Sequence, residues 1–106
     1  MQEGGTLVTD ESVSNVQFVC KSTVMNNDKN ITIGSGTEIF FQEGAGINMT
    51  GGNFICDGSQ GNDNILLKGN NAEHWNGINL INTGNLTIIE KTTFENTKSP
   101  VEIDNS

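Results

Sequence analysis

Several residue types are scarce or missing in this chain of 106 residues, and each shortage narrows its possible functions. Arginine is absent and five lysines face thirteen acidic residues, so the net charge is −8 and binding to nucleic-acid phosphates is not expected. No apolar run reaches the ~18 residues that a membrane-spanning helix requires, so membrane insertion is not expected either. With 33% hydrophobic residues, the chain can build only a narrow core.

Only two cysteines, Cys20 and Cys56, are present, which is too few for a disulfide framework. In the coils proposed below they lie two levels apart, which is about 9–10 Å at the usual strand spacing. A disulfide needs Cα atoms within about 4.4–6.8 Å of each other, so we expect two buried free thiols.

Glycine and asparagine are abundant, with thirteen glycines and sixteen asparagines. Both residue types tolerate the left-handed backbone of tight turns. Between Ile31 and Leu80, short β-type runs are separated by glycine at a nearly regular spacing. This pattern is typical of a solenoid, in which each coil buries the apolar face of its neighbour.

Apolar residues also recur at a fixed offset from the predicted coil starts. Counting eight positions on from Val16, Ile31, Ile47 and Ile78 leads to Val24, Ile39, Ile55 and Leu86, whereas the same count from Ile65 leads to Glu73. No helical period accompanies them. We therefore predict an all-β solenoid of parallel strands with about five to six short coils, starting near residues 16, 31, 47, 65, 78 and 101. Residues 1–15 are predicted as an N-terminal lead-in strand or partial cap, and residues 16–106 as the coils.

About half of the chain resembles the right-handed parallel β-helix proteins of the pectate-lyase-like superfamily, in their secreted and surface bacterial form. The segments that carry the resemblance are Ile31–Phe41, Ile47–Gly58, Ile65–Leu67 and Trp75–Ile78. Gly34-Ser35 and Gly52-Asn53 depart from the family pattern. The resemblance implies a single-stranded right-handed β-helix, an extracellular or cell-surface location, and a parent chain longer than this segment.

The resemblance leaves two functions open. One is a non-catalytic structural, adhesive or glycan-contacting module, with a polysaccharide or cell-surface glycan as partner. The other is a segment of a carbohydrate-active enzyme or phage tailspike whose catalytic residues lie elsewhere. Lyases of the superfamily use an arginine base, and its hydrolases use an aspartate pair near a histidine and an Arg-x-Lys motif. This sequence has neither the arginine base nor the hydrolase motif, so we assign no catalytic residue. Two pairs of acids, Asp57 with Asp63 and Glu38 with Glu43, could approach the separation that glycoside hydrolysis needs.

The non-repeating segment before the Trp75–Ile78 motif is the first candidate binding site. Its candidate ligand-binding residues are Trp75, His74, Asn71 and Glu73. An exposed tryptophan can stack on the face of a sugar. The alternative is that Trp75 covers the apolar edge of the core, because large aromatic side chains are usually buried.

The second candidate is the polar segment Asp57–Asn64, whose acids Asp57 and Asp63 could contribute oxygen ligands to calcium. It lacks the spacing of the known calcium loops, and the alternative is an Asx- and Gly-rich turn. No other cofactor is implied. We also expect an unpaired edge at Val101–Ile103, through which the coils of two molecules could stack end to end as a homo-oligomer.

Overall fold

A computed structural model describes residues 3–59, 61, 63–72, 74–81, 87–97 and 100–104. Short β-strands dominate this part of the chain, beside one 3-10 turn at Asn70–Ala72. In chain order the strands are β1 (Gly5–Thr6), β2 (Glu11–Val13), β3 (Gln17–Cys20), β4 (Val24–Asn27), β5 (Ile31–Gly34), β6 (Glu38–Phe41), β7 (Ile47–Thr50), β8 (Phe54–Asp57), β9 (Ile65–Gly69), β10 (Ile78–Ile81), β11 (Thr87–Glu90), β12 (Thr92–Glu95) and β13 (Val101–Asp104).

These strands form three parallel sheets that share one interior. Sheet A has the order β1-β4-β7-β10-β13, sheet B the order β11-β8-β5-β2, and sheet C the order β12-β9-β6-β3. Each sheet takes every third strand of the chain, so the backbone visits the three sheets in turn as it winds. The predicted fold class, a right-handed parallel β-helix of several coils, is confirmed.

One coil consists of three strands, which corrects the predicted coil boundaries. Ile47 pairs with Val24 in the preceding coil and with Ile78 in the following one, so a complete coil extends from each of these residues to the next. The described chain makes four coils, and β13 begins a fifth. The predicted spacing of coil starts was wrong because it covers only part of a coil. Ile31, for example, pairs with Phe54 in sheet B instead of stacking on Ile47.

The core is a column of side chains that point inward from alternate strand positions. In the middle coils these side chains have no exposed surface, as at Ile39, Ile47 and Leu67. In the outer coils some inward side chains are only partly buried, as at Phe18 and Phe94, whereas Cys20 on the edge strand β3 is fully buried.

Asparagine and aspartate stack at the corner between sheets A and B. The Oδ1 atom of Asp10 accepts a hydrogen bond from the backbone N–H of Asn30, and Oδ1 of Asn30 accepts one from the N–H of Asn53, both at 2.9 Å. This ladder joins three successive coils where the backbone turns away from the sheet. It gives a structural role to part of the asparagine excess.

The ends of the three sheets are edge strands in the described part of the chain. Strand β13 pairs with β10 on one side and stands last in sheet A, as the sequence predicted for Val101–Ile103. End-to-end self-association through this edge stays a prediction.

Candidate functional site

The outer face of sheet A carries the candidate site, because parallel pairing collects side chains from five coils there. Strand register aligns one outward position of each strand in a single row along the axis of the solenoid. From the first strand to the last, this row consists of Thr6, Met25, Asn48, Asn79 and Glu102. A second outward row, two positions further along each strand, contains Asn27, Thr50 and Ile81.

An open groove lies between these rows, and we call it the sheet A groove. Its volume is about 370 Å³, and its lining residues are Met25, Asn48, Thr50, Asn79, Leu80, Ile81 and Glu102. A smaller depression of about 260 Å³ continues it toward Thr6 and also touches Met25 and Thr50. The groove therefore extends across several neighbouring coils.

Two amides on adjacent strands form the polar centre of the groove. Nδ2 of Asn79 donates a hydrogen bond of 2.9 Å to Oδ1 of Asn48. Nδ2 of Asn48 in turn donates to the sulfur of Met25 at 3.7 Å, and a thioether is a weak acceptor. Each of the two amides therefore donates toward the preceding coil.

Two apolar side chains stand beside these amides. Met25 is 45% exposed and Ile81 is 43% exposed, although both belong to strands whose inward side chains are closed off from solvent. Large aliphatic side chains that project outward from a strand contribute nothing to the interior of the coil. The groove thus offers hydrogen-bonding amides and apolar contact surface on the same rigid sheet.

The structure places Trp75 in the core, where it is 3% exposed. Its ring stacks on Phe41 with a centroid distance of 4.1 Å and an interplanar angle of 5°, and its Nε1 donates to the carbonyl oxygen of Glu95 at 2.6 Å. Phe41 pairs in register with Gly69, which has no side chain, and its ring packs against the indole. This geometry fits the interpretation that Trp75 covers the core, and it leaves no ring face for a sugar.

The other candidates around Trp75 differ from it in their exposure to solvent. His74 is exposed, and its carbonyl oxygen accepts a hydrogen bond from the N–H of Gly44. Asn71 is exposed and has a left-handed backbone with a φ of 52°. Glu73 lies outside the described residues.

The carboxylate of Asp57 is used within its own turn. It accepts hydrogen bonds from the N–H of Ser59 at 2.8 Å and from the Ser59 hydroxyl, which is the geometry of an Asx turn. Asp63 lies in another depression, of about 500 Å³, which it shares with Glu38 and Gln17. Within the described residues, no three histidine, cysteine or acidic side chains are placed to hold a metal ion together. Calcium binding stays a prediction.

Both cysteines are buried and unpaired, as predicted. Burial raises the pKa of each thiol from 9.0 to about 11. Hydrogen bonding lowers each pKa in part, through the backbone of Ser22 for Cys20 and through the side chain of Thr92 for Cys56. Both groups therefore stay protonated at neutral pH and are not nucleophiles there.

Sequence reasoning missed the sheet A groove. Its outward residues follow no hydrophobic pattern, and Asn48 and Asn79 come together only because one full coil of the solenoid separates them. The correct coil length is the signal that would have aligned them.

Comparisons with protein-family models, with curated proteins and with solved structures find no match to this chain. In the described part of the chain, no helix has the length and apolar character needed to cross a bilayer.

Proposed function

We propose that this chain is a non-catalytic, glycan-contacting structural module of a secreted or surface bacterial protein, and that the sheet A groove is its contact surface. The observation that carries the proposal is the Asn48–Asn79 amide pair, held at 2.9 Å between two exposed aliphatic side chains. Amides exchange hydrogen bonds with sugar hydroxyls, and aliphatic groups pack against the C–H faces of sugar rings. Binding sites commonly combine such apolar surface with a few well-placed polar groups.

The backbone beneath the groove supports this function. The outward residues alternate with Ile47, Met49, Ile78 and Leu80, which have no exposed surface. A fully packed inner face restricts the movement of the strands, so the polar groups on the outer face are already in place before a ligand arrives. Such preorganisation lowers the entropy cost of binding.

The family and the location are parts of the same proposal. Stacked parallel sheets support a relationship to β-helix proteins, and the motifs between Ile31 and Ile78 resemble the pectate-lyase-like superfamily in particular. The extracellular or cell-surface location rests on that resemblance. The alternative function, a segment of a carbohydrate-active enzyme or tailspike with catalytic residues elsewhere, stays a prediction from the resemblance alone.

A glycan array that compares the wild type with Asn79→Ala tests the proposal. We expect the wild type to bind a subset of glycans and the variant to bind them about tenfold more weakly, the effect of losing roughly 1.4 kcal/mol of hydrogen bonding. Asn64→Ala is the matched control, because Asn64 is exposed and lies outside the groove.

Unfolding in urea should show that both variants stay folded, with a loss of about 1 kcal/mol or less for Asn79→Ala, whose side chain donates to Asn48. Equal binding by Asn79→Ala and the wild type would remove the groove from the proposal. A wild type that binds no glycan would contradict the proposed function itself.

A further inference from the structure

We infer that the sheet A groove selects uncharged glycans and rejects those that carry carboxylate or sulfate groups. This inference rests on the proposed function and specifies the class of ligand. Its basis is the distribution of charge around the groove, which differs from what an acidic polysaccharide would require.

Among the described residues that line the groove, Glu102 carries a charged side chain, and its charge is negative. It pairs in register with Asn79, so it stands on β13, whose backbone lies about 4.8 Å from that of β10. An anionic sugar bound to the amides would lie near this like charge. Like charges on neighbouring strands repel each other even at a solvated surface.

The described lysines lie elsewhere on the molecule. Lys21 is 3.9 Å from Glu3, and Lys68 is 4.0 Å from Glu95 on sheet C. Lys29 lies in the corner between sheets A and B, and Lys91 connects β11 to β12. None of these four residues lines the groove, so none neutralises an acidic ligand there.

The hydrogen bonds within the amide row also favour uncharged ligands. Asn79 donates an N–H to Asn48, and Asn48 donates one to the sulfur of Met25, so one donor of each amide is already engaged. Carboxylates and sulfates need donors, whereas a sugar hydroxyl can also donate, for example to the carboxylate of Glu102.

Two kinds of repulsion have to be separated, because the whole chain carries a net charge of −8. Long-range repulsion depends on the total charge and weakens strongly with salt. Local repulsion depends on Glu102 alone. Glu102→Lys and Glu90→Lys change the total charge equally, but Glu90 is an exposed residue of β11 in sheet B. Glu90→Lys is therefore the matched control.

The test is an array of neutral tetrasaccharides of glucose, galactose, mannose and N-acetylglucosamine, each printed beside its counterpart oxidised to the carboxylate at C6. We expect the wild type to bind the neutral member of at least one pair tenfold or more above its acidic counterpart. Glu102→Lys should raise binding of the acidic member at least tenfold, and more than Glu90→Lys does.

Three results would overturn the inference. If acidic members bind as tightly as neutral ones, the groove does not select by charge, although the glycan-contacting function stands. If Glu90→Lys and Glu102→Lys have equal effects, Glu102 is not the selecting group. If no member of any pair binds, the proposed function and the inference fail together.

Discussion

The two faces of sheet A are built from the same strands but follow different rules. On the inner face, Val24, Ile47 and Ile78 stack in register and have no exposed surface. On the outer face, the residues that follow them are Met25, Asn48 and Asn79. The inner row repeats one kind of side chain from coil to coil, whereas the outer row does not. The repeated row builds the coil, and the row that varies is free to bind a ligand.

One polar residue on the inner face shows what the interior requires. Asn26 is 4% exposed and occupies the position that Met49 takes in the next coil. Its side chain donates to the carbonyl oxygen of Lys29 at 2.7 Å and accepts from the N–H of Lys29 at 3.1 Å. The amide is satisfied by its own turn, so this inward position accepts a polar residue whose hydrogen bonds are made.

The comparison between the faces is tested most strongly by the same substitution on each of them. Ile47→Ala removes a fully buried side chain between two coils and should lower the free energy of unfolding by about 2–5 kcal/mol. Ile81→Ala removes a side chain that is 43% exposed and should change it by roughly 0.5 kcal/mol or less. Urea unfolding followed by circular dichroism measures both.

If Ile47→Ala does not fold, Ile47→Val should still show a cost of about 0.5–1.5 kcal/mol. Ile81→Ala should, in addition, weaken glycan binding without loss of stability. Equal stability costs for the two alanine variants would show that the faces are not distinct.

A second pair of substitutions tests how closely the coils approach where the chain leaves sheet A. Gly52 and Gly44 have left-handed backbones, with φ of 78° and 79°, so alanine at either position costs about 1–2 kcal/mol. A Cβ at Gly52 would lie 2.2 Å from the carbonyl oxygen of Lys29, whereas one at Gly44 has no neighbour within 4 Å among the described residues.

Gly52→Ala should therefore cost about 1–3 kcal/mol more than Gly44→Ala, because the two coils must move apart. Thermal unfolding of the two variants side by side measures the difference. Similar melting temperatures would indicate that the corner has more room than the structure shows.

The last of these tests concerns the pH dependence of the interior. Burial raises the pKa of Cys20 and Cys56 from 9.0 to about 11, so the folded state keeps protons that the unfolded state loses. Stability from this source is complete below pH ~9 and is lost as the pH rises toward ~11. A Cys20→Ala, Cys56→Ala double variant should show a shallower decline in its urea midpoint over this interval. An identical decline in both proteins would show that the thiols are not closed off from solvent.

Sequence reasoning predicted the architecture but not the pairing of strands. Ile31-Thr32-Ile33 in sheet B and Ile47-Asn48-Met49 in sheet A have nearly the same pattern, so sequence alone does not show which strands pair. The lengths of the turns determine which strands pair, and these lengths vary between coils. The buried position of Trp75 followed from general preferences of aromatic residues, although sugar stacking was the competing interpretation.

The alignment of the outward residues in rows could not be predicted from the sequence, for a different physical reason. Inward residues must be hydrophobic to be buried, so they leave a regular pattern in the sequence. Outward residues of a solenoid are not constrained by packing in the core. Asn48 and Met25 therefore look unremarkable along the chain and acquire a shared surface only through register.

The central claim is that the outer face of sheet A is the contact surface of this solenoid. A heteronuclear NMR titration of the labelled protein, with the neutral tetrasaccharide that binds most strongly in the array, tests it most directly. We predict that the shifted backbone amides belong to β4, β7, β10 and β13, around Met25, Asn48, Asn79 and Glu102. Shifts concentrated in residues 58–64 and 70–77, with sheet A unchanged, would contradict the claim.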